Sequence, residues 1–191
     1  MVLCLLGRVG SKKVISGPRR PDRRAIRSRS SHIPLRMHHS SSSPRLTHLD
    51  DTGRPKMVDV SSKSTSHRKA TATGRITLND LAFRLLVSPN ANEAHPLAAK
   101  VNAKGDVLSV AQIAGIMAAK RTSSLIPLCH PIDLSNVSVT LLPEPQSTSV
   151  LCEASVECIG RTGVEMEALT AVSVSLLTIW YETIPYVDIF R

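Results

Sequence analysis

The spacing of apolar residues in the last third of the chain constrains its fold most. Every second residue from Val150 to Cys158 is apolar or small, and polar or acidic residues stand between most of them. Because successive side chains of a strand point to opposite faces, this alternation predicts a strand with one buried face. Residues Asn136 to Leu142 alternate in the same way, and Pro143 to Ser149 joins the two strands as a hairpin loop.

A long helix is predicted directly after this hairpin. Thr162 and Glu165 have the spacing of a capping box, which favours a helix start. Pro185 cannot continue a helix and is expected to end it. Helical spacing predicts a buried stripe made of Met166, Leu169, Ser173, Leu176, Leu177 and Trp180.

One strand and two helices are predicted before the hairpin. Arg68 to Leu78 is rich in threonine and is expected to be a strand, and Asn79 or Asp80 then caps a short helix through Leu86. After a loop from Pro89 to Pro96, the second helix runs from Asp106 to Arg121, with end charges that match the helix dipole. The order β-α-α-β-β-α predicts an α+β fold, with helices packed on one face of an antiparallel sheet.

The second helix has an unusual composition. It is rich in alanine, and Gly115 is expected to let a neighbouring element pack very closely. Its predicted buried positions recur at helical spacing and are Val107, Val110, Ala114, Met117 and Ala118.

The net charge of the chain lies in its first 44 residues. Residues 1–44 carry ten Lys or Arg and one acid, whereas residues 45–191 carry fourteen basic and fourteen acidic side chains. The first segment cannot bury enough apolar surface to offset its ordering entropy, so a disordered arm is predicted there, with a linker at 45–56. Its Arg- and Ser-rich composition is typical of a mitochondrial transit peptide, which would place the protein in the matrix. The alternatives are an untargeted arm of a cytoplasmic protein or a segment translated from too early a start.

Other classes of protein are disfavoured by the same sequence. Because the predicted domain is electrically neutral, a nucleic-acid-binding domain is not expected. Met1 to Leu6 is too short for a secretory signal, and the apolar stretch from Ala168 to Tyr181 is shorter than the ~20 residues of a membrane span. The chain has four cysteines: Cys4, Cys129, Cys152 and Cys158. None of them forms a C-x-x-C pair or has a histidine at the spacing of metal ligands, so the sequence predicts no metal site and a protein of a reducing compartment.

Three segments carry side chains suited to chemistry. Lys104 stands before Gly105 at a helix start, where a cation and free amide groups can hold an anion, although a solvated lysine has the same pattern. His130 lies in an apolar loop between prolines, as does many a structural histidine. Glu167 lies near a helix start and, unlike Glu165, has no predicted capping role.

Taken together and in this order, these segments are similar to the MoaC family, the cyclic pyranopterin monophosphate synthases of molybdenum cofactor biosynthesis. The similarity spans about residues 57–180. The matching segments are Met57-Val-Asp-Val-Ser61 with Arg68 and Ala70, Lys104-Gly-Asp-Val107, Ala111-Gln-Ile-Ala-Gly115, Ala119-Lys-Arg-Thr122, Leu125-Ile-Pro-Leu-Cys-His-Pro131 and Thr162-Gly-Val-Glu-Met-Glu-Ala-Leu-Thr-Ala171.

The resemblance implies an activity, an assembly and a site. Members of the family rearrange a cyclised guanosine triphosphate derivative, made by a radical SAM enzyme, into cyclic pyranopterin monophosphate and diphosphate, without a cofactor. The implied fold is ferredoxin-like and assembles as a hexamer built from dimers, with active sites at subunit interfaces. By matching positions, the implied catalytic residues are Lys104 and His130, and the implied substrate-binding residues are Leu128, Cys129, His130, Met166 and Glu167. Neither nucleic acid nor membrane is an implied partner.

The sequence departs from the family pattern near its end. Family members continue the last helix with a catalytic aspartate, then Met-Cys-Lys-Ala, and then a closing strand. Aligned without gaps from Glu167, the aspartate position is Tyr181. Residues 57–182 are therefore expected to be an incomplete domain of this family and residues 183–191 a non-matching tail, from truncation or from a gene-model error. Catalysis is expected to fall by about a thousandfold or more.

Three readings compete with an active enzyme. A non-catalytic subunit would keep the assembly helices and the nucleotide loop, and would regulate complete copies. A nucleic-acid binder would need residues 1–44 alone to bind with steep salt dependence. A misread frame would never accumulate as folded protein.

Overall fold

A computed structural model of the chain describes residues 3–4, 48–87 and 105–184. The chain divides into two compact units, residues 1–14 together with 59–191, and residues 15–58. The predicted disorder of residues 1–44 and the predicted loop from Pro89 to Pro96 lie almost wholly outside the described residues. The domain boundaries inferred from the sequence therefore stay predictions.

The described elements follow the predicted order, with two short additions. The additions are the first strand and the third helix. In chain order the elements are β1 (Leu3–Cys4), β2 (Ser66–Thr77), α1 (Asp80–Val87), α2 (Val107–Ala119), α3 (Thr122–Leu125), β3 (Leu134–Glu144), a 3₁₀ turn (Pro145–Ser147), β4 (Ser149–Gly160) and α4 (Glu165–Thr183).

The strands form one antiparallel sheet in the order β1-β2-β4-β3. Strand β2 pairs with β4 from Ser66 opposite Gly160 to Thr77 opposite Ser149. The predicted alternation of β4 is confirmed, because its inward residues are all fully buried: Val150, Cys152, Ala154, Val156 and Cys158. Helices α2 and α4 pack together, and α4 covers this buried face of β2 and β4, so the α+β prediction is confirmed.

Helices α2 and α4 meet through small residues. A Cβ atom added to Gly115 would lie 2.9 Å from the Ala171 carbonyl oxygen and would overlap the Ser175 hydroxyl. The prediction that Gly115 permits close packing is therefore confirmed. The predicted buried face of α2 is partly wrong, since Val110 is 43% and Met117 42% exposed. The close approach through glycine and alanine turns these larger side chains outward; the buried residues of α2 are Val107, Ala111, Gly115, Ala118 and Ala119.

The predicted start and stripe of α4 also need correction. The helix begins at Glu165 with Val164 in the cap position, so Thr162 does not cap it. The Glu165 carboxylate instead folds back over Gly163. Met166 is 38% and Leu177 50% exposed, because the small residues that face α2 and the sheet rotate the buried stripe away from them. The buried residues are Glu167, Ala168, Thr170, Ala171, Val172, Ser175, Leu176, Ile179 and Thr183.

The other unit is described only at residues 48–58. There the Asp50 carboxylate accepts hydrogen bonds from the Thr52 hydroxyl at 2.7 Å and from the Arg54 amide at 2.8 Å. The Thr52 bond in particular lowers the pKa of Asp50. Leu49 and Pro55 form an antiparallel bridge, so part of the predicted linker at 45–56 is a tight turn. In neither unit is a described helix long and apolar enough to cross a membrane.

Candidate active site

A rigid loop carries three of the residues expected in the site. Helix α3 precedes it, and the Thr122 hydroxyl, which is buried, donates to the Ala119 carbonyl at 3.0 Å. The Ile126 amide then donates to the Thr122 carbonyl at 2.8 Å. Leu128 has a φ of 65°, a left-handed conformation that a leucine rarely adopts, and this residue turns the chain towards Cys129.

The strand register brings this loop to the start of α4. The loop leads into β3, whose first residue, Leu134, stands opposite Cys158 of β4. Cys158 is the last buried position of β4, and α4 begins seven residues later at Glu165. The loop and the first turn of α4 therefore lie at the same end of the sheet.

Glu167 lies buried at this end, with only 4% of its surface exposed. Burial raises the pKa of Glu167, and the negative charge of Glu165 raises it further. Burial also raises the pKa of the Cys129 thiol, with a second contribution from the charge of Glu167. The two side chains are thus close enough to interact, and the structure brings the predicted loop and the predicted carboxylate together.

The remaining predicted residues divide into two groups. Leu128, Cys129 and His130 are all half-buried in the loop, and Met166 is partly exposed beside Glu167. Lys104 lies outside the described residues. Its neighbour Gly105 is exposed and directly precedes α2.

The two ends of the α2–α4 layer carry different parts of the predicted site. An open groove of about 270 Å³ lies between the first turns of α2 and residues 139–141 of β3, where Gln112 donates to the Val139 carbonyl at 2.8 Å. Seven residues separate Leu134 from Leu141, so the start of α2 is about 23 Å along the sheet from the His130 loop. Tyr181, which is 70% exposed, follows Glu167 by fourteen residues, about 21 Å along α4. Gly105 and Tyr181 therefore share the end opposite to His130 and Glu167.

Sequence reasoning did not place Arg68 and Cys158 in the site. Arg68 stands opposite Cys158 on the inward face of the sheet. Its Nε atom is buried and has no hydrogen-bond partner among the described residues. Burial, chiefly, and Glu167 raise the pKa of the Cys158 thiol, while Arg68 lowers it. The signal in the sequence is the alternation itself, which puts Arg68 on the same face as Ala70 and Ala72.

Cys129, Cys152 and Cys158 are free thiols. Burial raises the pKa of Cys152 to about 11, so this thiol stays protonated at neutral pH. Within residues 48–87 and 105–184, no three His, Cys, Asp or Glu side chains are grouped so that they could hold a metal ion.

Comparison with known proteins assigns this chain to a family. Residues 57–184 match the sequence profile of the MoaC family. The cyclic pyranopterin monophosphate synthase of Chloroflexus aggregans is 49% identical over 141 residues, which cover 74% of this chain and 79% of that protein. The enzyme of the same name from Thermomicrobium roseum is 50% identical over 143 residues, 75% of this chain and 79% of its own. That from Parvibaculum lavamentivorans is 48% identical over 136 residues, 71% and 78% of the two chains.

The chain belongs to the MoaC family. These relatives all carry the name cyclic pyranopterin monophosphate synthase, and the resemblance to the MoaC family drawn from the sequence is confirmed. The predicted residues 128–130 and 166–167 all fall within the matched region.

Proposed function

We propose that the chain binds (8S)-3′,8-cyclo-7,8-dihydroguanosine 5′-triphosphate and converts it to cyclic pyranopterin monophosphate and diphosphate. The observation that carries this proposal is the buried Glu167 carboxyl beside the Cys129–His130 loop. A buried carboxyl with a raised pKa keeps its proton to higher pH than an exposed carboxyl does, which suits it to donate and accept protons. The family and the names of the relatives supply the identity of substrate and product.

The rearrangement requires proton transfers as the purine ring opens and the new ring closes. Glu167 holds a proton more readily than an exposed carboxyl does, so it can act as the acid in one of these steps. An imidazole exchanges protons readily near neutral pH, and His130 follows Cys129 directly in the same loop. In this proposal the half-buried Leu128 and Cys129 and the partly exposed Met166 pack against the base and exclude water.

A triphosphate substrate also requires cations. Lys120 and Arg121 are exposed at the end of α2 that leads into the His130 loop. Arg161 is exposed just before α4, and its Nη1 atom donates to the Ser61 carbonyl at 3.1 Å. Together with Lys104, these side chains can donate charge-assisted hydrogen bonds to the phosphate oxygens.

The separation of the two ends favours a site shared between copies of the chain. Gly105, which follows Lys104 in the chain, lies at the start of α2, about 23 Å along the sheet from the His130 loop, and this separation favours a site to which two copies contribute. We infer a homo-oligomer, a hexamer built from dimers, in which the Lys104 end of one copy meets the Glu167 end of another. Exposed apolar residues on the helix layer support such association, and they include Val110, Ile113, Met117, Leu177 and Ile184.

Tyr181 limits the rate in this proposal. The matching position in the family is an acid/base aspartate, and a phenol ionises far less readily than a carboxyl. Tyr181→Asp is expected to raise the turnover number by about 10²–10⁴, the usual contribution of one general acid–base group, when product formation is followed by chromatography. Tyr181→Asn, which removes the ring without supplying a carboxyl, is the matched control and should give no gain. Family-level turnover by the unaltered chain, or equal rates for the Asp and Asn variants, would contradict this role of Tyr181.

A second candidate function is a nucleotide-binding or regulatory subunit without catalysis. The exposed Tyr181 at the aspartate position favours a subunit without catalysis, because the catalytic carboxyl is replaced while the predicted binding loop at residues 128–130 is intact. Calorimetry with the cyclised nucleotide separates the candidates. Binding without turnover, even in the Tyr181→Asp variant, identifies the subunit, whereas no binding at all contradicts both.

Two further proposals concern the enzyme that supplies the substrate and the cellular location of the chain. A radical SAM GTP cyclase must supply the cyclised nucleotide, because no step of the proposed rearrangement forms that bond. The basic, Ser-rich segment at residues 1–44 favours import into the mitochondrial matrix. N-terminal sequencing of the protein from isolated mitochondria tests this location, and a full-length chain found only in the cytosol would contradict it.

A further inference from the structure

Arg161 lies at the end of the sheet to which the His130 loop belongs. Strand β4 ends one residue before Arg161, and α4 begins four residues after it. The last residue of β4, Gly160, stands opposite Ser66, the first residue of β2. The chain that leads into β2 therefore passes Arg161, and the Ser61 carbonyl accepts a hydrogen bond from the Arg161 Nη1 atom at 3.1 Å.

A tight turn fixes Ser61 in turn. The Oδ1 atom of Asp59 accepts hydrogen bonds from the Ser61 amide at 2.8 Å and from the Ser61 hydroxyl at 2.7 Å. The Lys63 amide then donates to the carbonyl of the half-buried Val60 at 3.1 Å. Aspartate commonly stabilises a turn by bonding the backbone two residues further on. The direction of the Ser61 carbonyl is therefore set by Asp59 and by the turn that follows.

The charge of Arg161 is held in place without being neutralised. Arg75 and Arg84 each form an ion pair, with Glu144 and Asp80 respectively. Arg161 forms no ion pair within the described residues, and its partner is an uncharged carbonyl. A guanidinium has further N–H donors, and they bind phosphate oxygens in pairs. The full positive charge of Arg161 is thus available to an anion.

This support distinguishes Arg161 from other cations proposed for the phosphates. In the described part of the chain, no hydrogen bond or ion pair fixes the side chain of Lys120 or Arg121. A long side chain that is already held loses less conformational freedom when it binds a ligand. Of these three side chains, Arg161 is therefore the one best prepared to bind an anion.

We propose that the turn at Asp59 and Ser61 positions the Arg161 guanidinium to bind the polyphosphate chain of the substrate. This inference rests on the proposed function, which supplies the triphosphate. Arg161 is a substrate-binding residue here, and Asp59 is a positioning residue that acts through the Ser61 carbonyl. A carbonyl suits this role better than a carboxylate, because it directs the guanidinium without cancelling its charge.

The chain offers a matched control for Asp59. Asp50, in the other unit, accepts hydrogen bonds from the Thr52 amide at 2.8 Å and the Thr52 hydroxyl at 2.7 Å, the same two bonds that Asp59 makes. Asp59→Ala and Asp50→Ala therefore remove equivalent exposed turns. Calorimetry of the full-length chain with inorganic diphosphate should show binding about 3–10-fold weaker for Asp59→Ala and within about 1.5-fold of the wild type for Asp50→Ala.

Two further variants separate positioning from a general effect. Arg161→Ala should weaken diphosphate binding by about 10–100-fold, and adding Asp59→Ala to it should weaken binding by no more than about 1.5-fold, because Asp59 acts through Arg161. Asp59→Asn keeps an acceptor oxygen and should bind diphosphate within about twofold of the wild type. The thermal midpoints of Asp59→Ala and Asp50→Ala should agree within about 2 °C.

Equal diphosphate affinities of Asp59→Ala and Asp50→Ala would overturn the proposal. So would multiplied losses in the double variant, or a wild-type chain that does not bind diphosphate. Calorimetry with the cyclised nucleotide distinguishes a failure of the proposed function. If the variants show the expected diphosphate pattern but the cyclised nucleotide does not bind, Asp59 still positions Arg161 for a polyphosphate, and the proposed function is the one contradicted.

Discussion

Glu167 is a carboxyl held among apolar side chains, and its position explains how it is tolerated. It lies in the first turn of α4, where the helix dipole favours a negative charge. Burial nevertheless disfavours the ionised form and raises its pKa, and nearby Glu165 adds to the effect. The residue therefore lowers the stability of the folded chain whenever it is ionised. A residue with only a structural role would gain nothing from such a destabilising carboxyl.

Glu167→Gln should change how stability depends on pH. Below the ordinary carboxyl pKa, the group is protonated in both the folded and the unfolded chain. As pH rises from there through the raised folded pKa, unfolding releases a proton, so the wild type loses stability that the glutamine variant keeps. The thermal midpoints of the wild type and Glu167→Gln should therefore be similar at pH 4. At pH 8 the midpoint of Glu167→Gln should be a few degrees higher than that of the wild type.

The exposed Glu153 on β4 provides the control for this measurement. Glu153→Gln should shift the midpoint by the same small amount at both pH values. A constant difference between the wild type and Glu167→Gln across the range would show that Glu167 is not destabilised by ionisation.

At the scale of elements, the contact between α2 and α4 determines which faces are buried. The two helices approach so closely at Gly115 that no side chain fits between them and the Ala171 carbonyl. Glycine weakens an isolated helix by about 1 kcal/mol relative to alanine, so helix propensity disfavours a glycine at position 115. The close packing of the two helices requires it there. The larger side chains Val110 and Met117 are left on the outside as a consequence.

Gly115→Ala is expected to destabilise the chain by about 1–3 kcal/mol, despite the better helix propensity of alanine. The reason is that the new methyl group overlaps the Ser175 hydroxyl and crowds the Ala171 carbonyl, which lies 2.9 Å away. Urea unfolding measures the effect, and Ser175→Ala in the same chain should restore part of it.

Gly163→Ala is the matched control, because its new methyl group meets only the flexible end of Glu165. That variant should stay within about 0.5 kcal/mol of the wild type. A stable Gly115→Ala variant would mean that the two helices move apart at little cost.

At the scale of the whole molecule, the parts expected to form one site lie at opposite ends of the helix layer. His130 and Glu167 belong to the end near Cys158, whereas Gly105 and Tyr181 belong to the other. In the proposed oligomer, the Lys104 end of one copy meets the Glu167 end of its partner, and a two-fold pairing repeats this contact, which gives two sites per dimer.

Two inactive variants should therefore complement each other. In a background carrying Tyr181→Asp, coexpression of Lys104→Ala with Glu167→Gln should give about a quarter of the parent activity. The reason is that half of the randomly formed dimers contain one copy of each variant, and one of the two sites in such a dimer is intact. Each variant expressed alone should stay near zero. Absence of activity in mass-confirmed mixed oligomers would mean that each site lies within a single chain.

Much of the fold was predictable because its signals are local. The alternation from Val150 to Cys158 follows from the pleat of a strand, and the loop with His130 and the segment with Glu167 are visible as motifs. The N-terminus of α1 was equally local, since Asn79 accepts a hydrogen bond from the Ala82 amide at 2.7 Å.

The sequence alone therefore determined the kind and order of the elements, the buried face of β4 and the family. Only the tertiary structure decided which faces of α2 and α4 are buried, that Arg68 joins the Cys158 end, and that Gly105 and Tyr181 share the end opposite to the His130 loop. The physical reason is that hydrogen-bond patterns and strand pleats act between near neighbours in the chain. The rotation of a helix rich in small residues depends instead on how closely a distant element can approach it.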